Sequence, residues 1–150
     1  MQYFTIDEAE KILPTVNKQV RKLQQLRENV AKVVLNQQVF QHAVRATNED
    51  GFVFLVKADI ETNLAFHKAC HAYYKELQTL CQIGAVLKDV ERGVVDFYHK
   101  LNGRDICLCW QVGENSISHW HESSAGYSKR KKLVNLDKAI GAEIVRKLGT

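Results

Sequence analysis

Two residues about two-thirds of the way along the chain, Asn102 and Gly103, constrain the fold more than any others. They separate two runs that alternate in polarity, Val94–Leu101 and Arg104–Gln111. Asn-Gly between such runs marks a two-residue type I′ hairpin, because both central positions need positive φ and these two residues reach it most readily. A two-residue turn dictates the pairing: Asp96 faces Cys109, Phe97 faces Leu108 and Tyr98 faces Cys107. A slip of one residue would turn every side chain to the other face. In this register Val95, Phe97, Ile106, Leu108 and Trp110 share one face, the expected core face.

A second turn, Gly113-Glu114-Asn115, leads into a third run from Ser116 to Glu122. A three-residue loop sets Cys109 opposite His121 and puts Trp120 on the core face. A two-residue loop sends His119 and His121 to the core instead. The first register is preferred because it buries an indole rather than two imidazoles. It creates a row of Asp96, Cys109 and His121 across three strands.

The N-terminal half follows a helical period. Thr5-Ile6-Asp7-Glu8 has the form of a capping box, and Leu13, Val16, Val20, Leu23, Val30 and Val34 advance by three- and four-residue steps. Leu26, Val33 and Phe40 flank that stripe, so the helix is expected to reach the neighbourhood of Arg45. Pro14, well inside it, is expected to kink the helix or displace its start. Residues 47–51 form a turn cluster, and Phe52–Val56 fits either a short strand or the entry to a second helix. That helix is expected from a cap at Asp59 to about Ile83, with Gly84 ending it. Leu136, Ile140, Ile144 and Leu148 imply a short C-terminal helix.

The expected fold is therefore α+β: a long antiparallel helical hairpin packed with a three-stranded antiparallel β-meander and a short C-terminal helix. We read one domain, with the hairpin in residues 1–84, the meander in 85–123, and a basic loop and last helix in 124–150. A helix of about 40 residues spans about 60 Å, whereas a 150-residue domain has a radius of gyration of only about 15 Å. One hairpin cannot cover its own apolar stripe over that length. A homodimer that builds a four-helix bundle is the expected solution.

Composition matters chiefly through charge. Lys and Arg number 21 against 17 Asp and Glu, a net +4. Lys129, Arg130, Lys131 and Lys132 account for that whole excess, so the remaining surface is balanced. A local tetrad reads as a solvated loop and argues against nucleic acid as a partner, which wants a basic face or groove. No apolar run approaches a membrane span, and the polar N-terminus lacks a signal-peptide core. The chain is read as cytoplasmic, with Cys70, Cys81, Cys107 and Cys109 as reduced thiols.

The strings LKDVERGVVDF, NGRDICLCWQVGE, ISHWHE and AGYSKRKKL, between Leu87 and Leu133, together with YFTIDEAEKILP from Tyr3, resemble an uncharacterised bacterial family, domain of unknown function 2203. The resemblance implies a small bacterial protein of helical hairpin plus sheet, and it carries no activity. The chain departs from the family pattern at Lys131-Lys132 and after Leu133.

Three chemistries fit the meander row. Asp96, Cys109 and His121 could share a zinc or iron ion, with Glu122 or Cys107 as a fourth ligand. The same trio could be a cysteine nucleophile with a histidine base and an aspartate orienter. The plain structural alternative is a small buried thiol, a hydrogen-bonded histidine and an aspartate paired with Arg104. Arg104 and Arg130 are candidate contacts for an anionic ligand through their planar forks. His67 and His71 stand i,i+4 on a helix, but Lys68 replaces the glutamate of a metallopeptidase motif. The leading expectation is a homodimeric binding module with a metal or small-ligand site on the meander. The alternatives are a helical interaction protein without chemistry and a Cys/His-dependent enzyme.

Overall fold

The computed structural model describes residues 1–35 and 60–133. The described chain runs α1 (Ile6–Leu35), α2 (Ile60–Gln82), β1 (Val86–Asp89), β2 (Val94–Leu101), β3 (Arg104–Gln111), β4 (His119–Glu122), a 3-10 turn (Tyr127–Lys129) and β5 (Lys131–Lys132). The class is α+β. The sheet has five antiparallel strands in the order β1-β2-β3-β4-β5 rather than the three expected. The two additions are short edges. β1 carries four residues and one bulge, and β5 is built from two residues of the basic tetrad. Neither is long enough to show a period. The helix expected at Leu136–Leu148, the far end of the long helix, the 47–56 segment and the Asp59 cap lie outside the described residues.

Two compact units divide the chain: Lys22–Thr79, and Met1–Arg21 with the chain from Leu80 onward. In the first, Lys22 Nζ lies 2.7 Å from Glu76 Oε2, and the Arg27 charge acts on Tyr73. As α1 advances its partners on α2 recede, the antiparallel order the sequence implied.

In the second unit the capping box closes as expected. Thr5 N–H donates to Glu8 Oε2 at 2.8 Å, and Glu8 N–H donates to Thr5 Oγ1 at 3.1 Å. These bonds to Thr5 hold the Glu8 carboxyl below its usual range. The helix runs unbroken through Pro14, so the proline does not displace its start. Ala9, Leu13, Val16 and Val20 are buried at the described turns of α1. On the expected core face of the sheet, Val95, Phe97, Ile106, Leu108 and Trp110 are likewise buried, at most 1% exposed. Phe4 packs edge-on against Phe97, with ring centroids 5.4 Å apart. Glu10 Oε1 accepts the Ile117 N–H at 3.2 Å, tying α1 to the segment that enters β4.

The hairpin register is the one the Asn-Gly turn dictates: Asp96↔Cys109, Phe97↔Leu108 and Tyr98↔Cys107. Asn102 and Gly103 have φ of 49° and 81°, the type I′ signature. Gly84 ends α2 with φ 88°. Its N–H donates to Cys81 O, and a Cβ there would meet Gln2 Oε1 at 2.8 Å. Among the described residues, no helix is long and apolar enough to cross a membrane.

Candidate metal centre

The third strand corrects the expected row. Residues 112–118 form a longer connection than a three-residue loop, and His121 faces Cys107 while Cys109 faces His119. The shift amounts to two residues, so the alternation survives and Trp120 lies opposite Leu108 on the core face. His121 therefore stays on the same face as Asp96, Cys107 and Cys109, but its cross-strand neighbour is Cys107.

That face is buried as thoroughly as the core face. Asp96 is 1% exposed, Cys107 2%, Cys109 0% and His121 2%. One oxygen of Asp96, the Cys107 sulfur and one nitrogen of His121 all lie within 4.8 Å of one another. His121 Nε2 is 3.0 Å from Asp96 Oδ2, and His121 Nδ1 is 2.8 Å from the Glu122 carbonyl oxygen. A carbonyl only accepts, so Nδ1 carries a hydrogen and Nε2 is the nitrogen presented to the carboxylate. Between Nε2 and Oδ2 there is then one shared proton. The other carboxylate oxygen, Oδ1, is buried and makes no hydrogen bond.

Electrostatics separate the three chemistries considered above. Burial first, and the Asp96 charge second, push the Cys107 thiol up to about 11 and the Cys109 thiol up to about 12. A nucleophilic cysteine needs the opposite, a thiolate near neutral pH. The hydrogen bond with Asp96 raises the His121 pKa against the opposing effect of burial. A divalent cation would replace the shared proton and the thiol proton together, since it supplies the positive charge that a thiolate beside a carboxylate lacks. Tetrahedral zinc, with bonds of about 2.0–2.3 Å, spaces an oxygen, a nitrogen and a sulfur by roughly 3.3–3.5 Å, so the widest separation in the trio would close by about 1.5 Å or less. Tethering Nδ1 to a backbone carbonyl while Nε2 points at the site is the orientation device common to metal-ligating histidines.

The remaining candidate residues fall elsewhere. Glu122 is turned to the opposite face by strand alternation, where its carboxylate sits 3.9 Å from Arg104. Its backbone carbonyl, not its side chain, serves the cluster. Arg104 is exposed and does not pair with Asp96. Arg130 covers the neighbouring part of the polar face. Its Nη2 donates to Glu114 Oε1 and to His119 Nδ1, both at 2.6 Å, and its guanidinium lies 4.8 Å from the Tyr127 ring centre. Tyr127 Oη donates in turn to Gln111 Oε1 at 2.7 Å. Burial, then the Arg130 charge, lowers the His119 pKa, which suits a nitrogen that accepts. Lys131 sits over the Trp120 ring at 4.7 Å. Three members of the basic tetrad, Arg130 and the β5 residues Lys131 and Lys132, thus have places in the fold, where the sequence reading had a solvated loop. His67 and His71 lie exposed on α2 and, among the described residues, belong to no group of metal-ligand spacing.

The sequence had Cys107 as a possible fourth ligand, because residues two apart on a strand share a face. It could not show the length of the β3–β4 connection, which decides which cysteine meets His121. The Tyr127–Arg130 cover had no signal beyond a run of cations.

No curated protein and no solved structure matches the chain. A family model described as an uncharacterized conserved protein, domain of unknown function 2203, matches residues 2–133. The chain belongs to that family.

Proposed function

We propose that this protein is a homodimeric binding module whose sheet holds a thiophilic divalent metal ion, zinc or ferrous iron, on Asp96, Cys107 and His121. Cys109, directly opposite Asp96, would be the fourth donor. The observation that carries this reading is the buried trio with ligand atoms within 4.8 Å. The partnerless Asp96 Oδ1 adds to it, because a buried carboxylate oxygen without a hydrogen bond is costly unless something else meets it. Two cations lie within electrostatic reach: Lys88 acts on Cys107 and His121, and Arg130 acts on Cys109. They would offset the surplus negative charge of two thiolates and a carboxylate around a divalent ion.

Elemental analysis tests the reading. Untagged protein, purified without chelators, should carry one zinc or iron per chain, lost in Cys107→Ser and kept in Cys81→Ser. Metal-free protein that takes up neither ion when supplied with both would refute it.

The dimer rests on apolar surface left on α2. Ile60 is 77% exposed, Leu64 53% and Tyr74 65%, and Leu26, Val30 and Val33 on α1 are only half-buried. A second copy of the same hairpin would cover these side chains with the same apolar stripe. Sedimentation equilibrium should give twice the chain mass at micromolar concentration, and a Tyr74→Glu, Leu64→Glu variant should give a monomer. A wild-type monomer would refute this part.

A further inference from the structure

Away from the metal residues, a groove of about 510 Å³ runs between the first turns of α1 and the turn at Gly113–Asn115. Its volume lies within the range of small-ligand sites. Glu10, Pro14, Asn17 and Arg21 line it from α1, at four-, three- and four-residue steps that keep them on one helix face. Leu13 and Trp110 supply apolar walls between the two charged ends. The Trp110 indole is held in place by its N–H, which donates to the Glu114 carbonyl at 2.9 Å.

The two charges at the ends are opposite in sign and do not meet each other. Eleven residues separate Glu10 from Arg21, about 16 Å along the helix axis. Both side chains lean toward the N-terminus, the longer Arg21 by a few Å more, which leaves roughly 13 Å between the two charges. Glu10 uses Oε1 for the Ile117 N–H and keeps Oε2. Among the described residues no ion pair engages either charge.

We propose that this groove binds a small extended zwitterion, with its carboxylate on Arg21, its cation on Glu10 and its apolar stem along Leu13, Pro14 and Trp110. An ordinary apolar amino acid has its two charges adjacent and cannot reach both ends. A free basic amino acid, or a short peptide with charged termini, can. Arginine is the better geometric match to Glu10 because a guanidinium pairs with a carboxylate through two parallel hydrogen bonds.

Isothermal titration of the full-length protein tests this with four probes: L-arginine, trialanine, agmatine (no carboxylate) and norleucine (no distal cation). Arginine or trialanine should bind saturably, and the tighter of the two identifies the source of the ligand. Agmatine and norleucine should bind about tenfold more weakly or worse, the loss of one charge-assisted contact. Arg21→Met should erase the preference for arginine over agmatine. Glu10→Gln, which keeps an oxygen for the Ile117 N–H, should erase the preference for arginine over norleucine. Absence of binding by both arginine and trialanine, or binding indifferent to the two substitutions, would overturn the proposal. The titration is repeated on the Cys107→Ser variant, where binding should be unchanged, so its outcome is separable from that of the metal reading.

Discussion

His121 and Asp96 form a buried pair across the sheet, Nε2 to Oδ2 at 3.0 Å, with side chains 3% and 1% exposed. Strands β2 and β4 do not touch each other; β3 lies between them. The pair therefore bridges over the two cysteines of β3, and everything chemical about this face depends on it.

Removing one partner leaves the other buried and uncompensated. Asp96→Ala should lower the stability of metal-free protein by about 3–5 kcal/mol, the usual cost of breaking a buried pair. His121→Ala, which strands the carboxylate, should cost at least as much. The double variant should lose clearly less than the two losses added, because the residues are coupled. Urea unfolding of the four proteins checks this, and additive losses would contradict it.

The pair also sets a pH dependence. Asp96 raises the His121 pKa above 6.5, its ordinary value, so the folded protein holds that proton more tightly than the unfolded chain does. The resulting stability is fully present below the unfolded value and is lost as pH rises through the folded one. His119 acts in the opposite sense. Burial lowers its pKa, so its contribution is present above the unfolded value and lost as pH falls. Asp96→Asn removes the first effect and leaves the second. The stability advantage of metal-free wild type over Asp96→Asn should therefore shrink as pH rises above 6.5 and through the raised folded-state value. An advantage that stays level or grows over that range would contradict the assignment.

Thiol chemistry should follow burial. Cys81 is exposed, whereas Cys107 and Cys109 are buried and held up at about 11 and about 12. Iodoacetamide at pH 8 should alkylate Cys81 readily and the two sheet cysteines only after unfolding, since the thiolate is the reacting species. Peptide mapping after a timed pulse reads this directly. Early labelling of Cys107 in native protein would show a more open face than the structure has.

Much of this fold was legible because its signals are local. Asn102-Gly103 carries its own backbone preference, so the β2–β3 register could be read from two residues and came out as expected. The capping box at Thr5 and Glu8 and the stop at Gly84 were legible for the same reason. What could not be read is non-local or too short. The β3–β4 register depends on the path of residues 112–118, and the favoured alignment set Cys109, not Cys107, against His121. β1 and β5 are too brief to display alternation. Pro14 was expected to kink the helix or displace its start; the start stays at the capped first turn, and the helix continues through the proline. The polar face was read as a row of three residues. Its closure depends on Tyr127 and Arg130 folding back over Gln111 and His119, which no spacing encodes.

The turn itself offers a clean backbone test. Gly103 has φ 81°, and a Cβ there would meet nothing within 4 Å. The cost of Gly103→Ala is then conformational alone, about 1–2 kcal/mol for a side chain held in the left-handed region. Asn102→Gly should change stability by less. Equal, negligible effects at both positions would argue against the type I′ turn and the register built on it.

The central claim is that Asp96, Cys107 and His121 bind one metal ion together. Titrating metal-free protein with cobalt(II) and following the thiolate-to-metal charge-transfer absorption tests it most directly, because that band reports a sulfur bonded to the ion. The account predicts a band that saturates at one cobalt per chain, is abolished in Cys107→Ser, is weakened in Asp96→Asn and His121→Asn, and is displaced by zinc. A titration without the band, or one unchanged by Cys107→Ser, would contradict it.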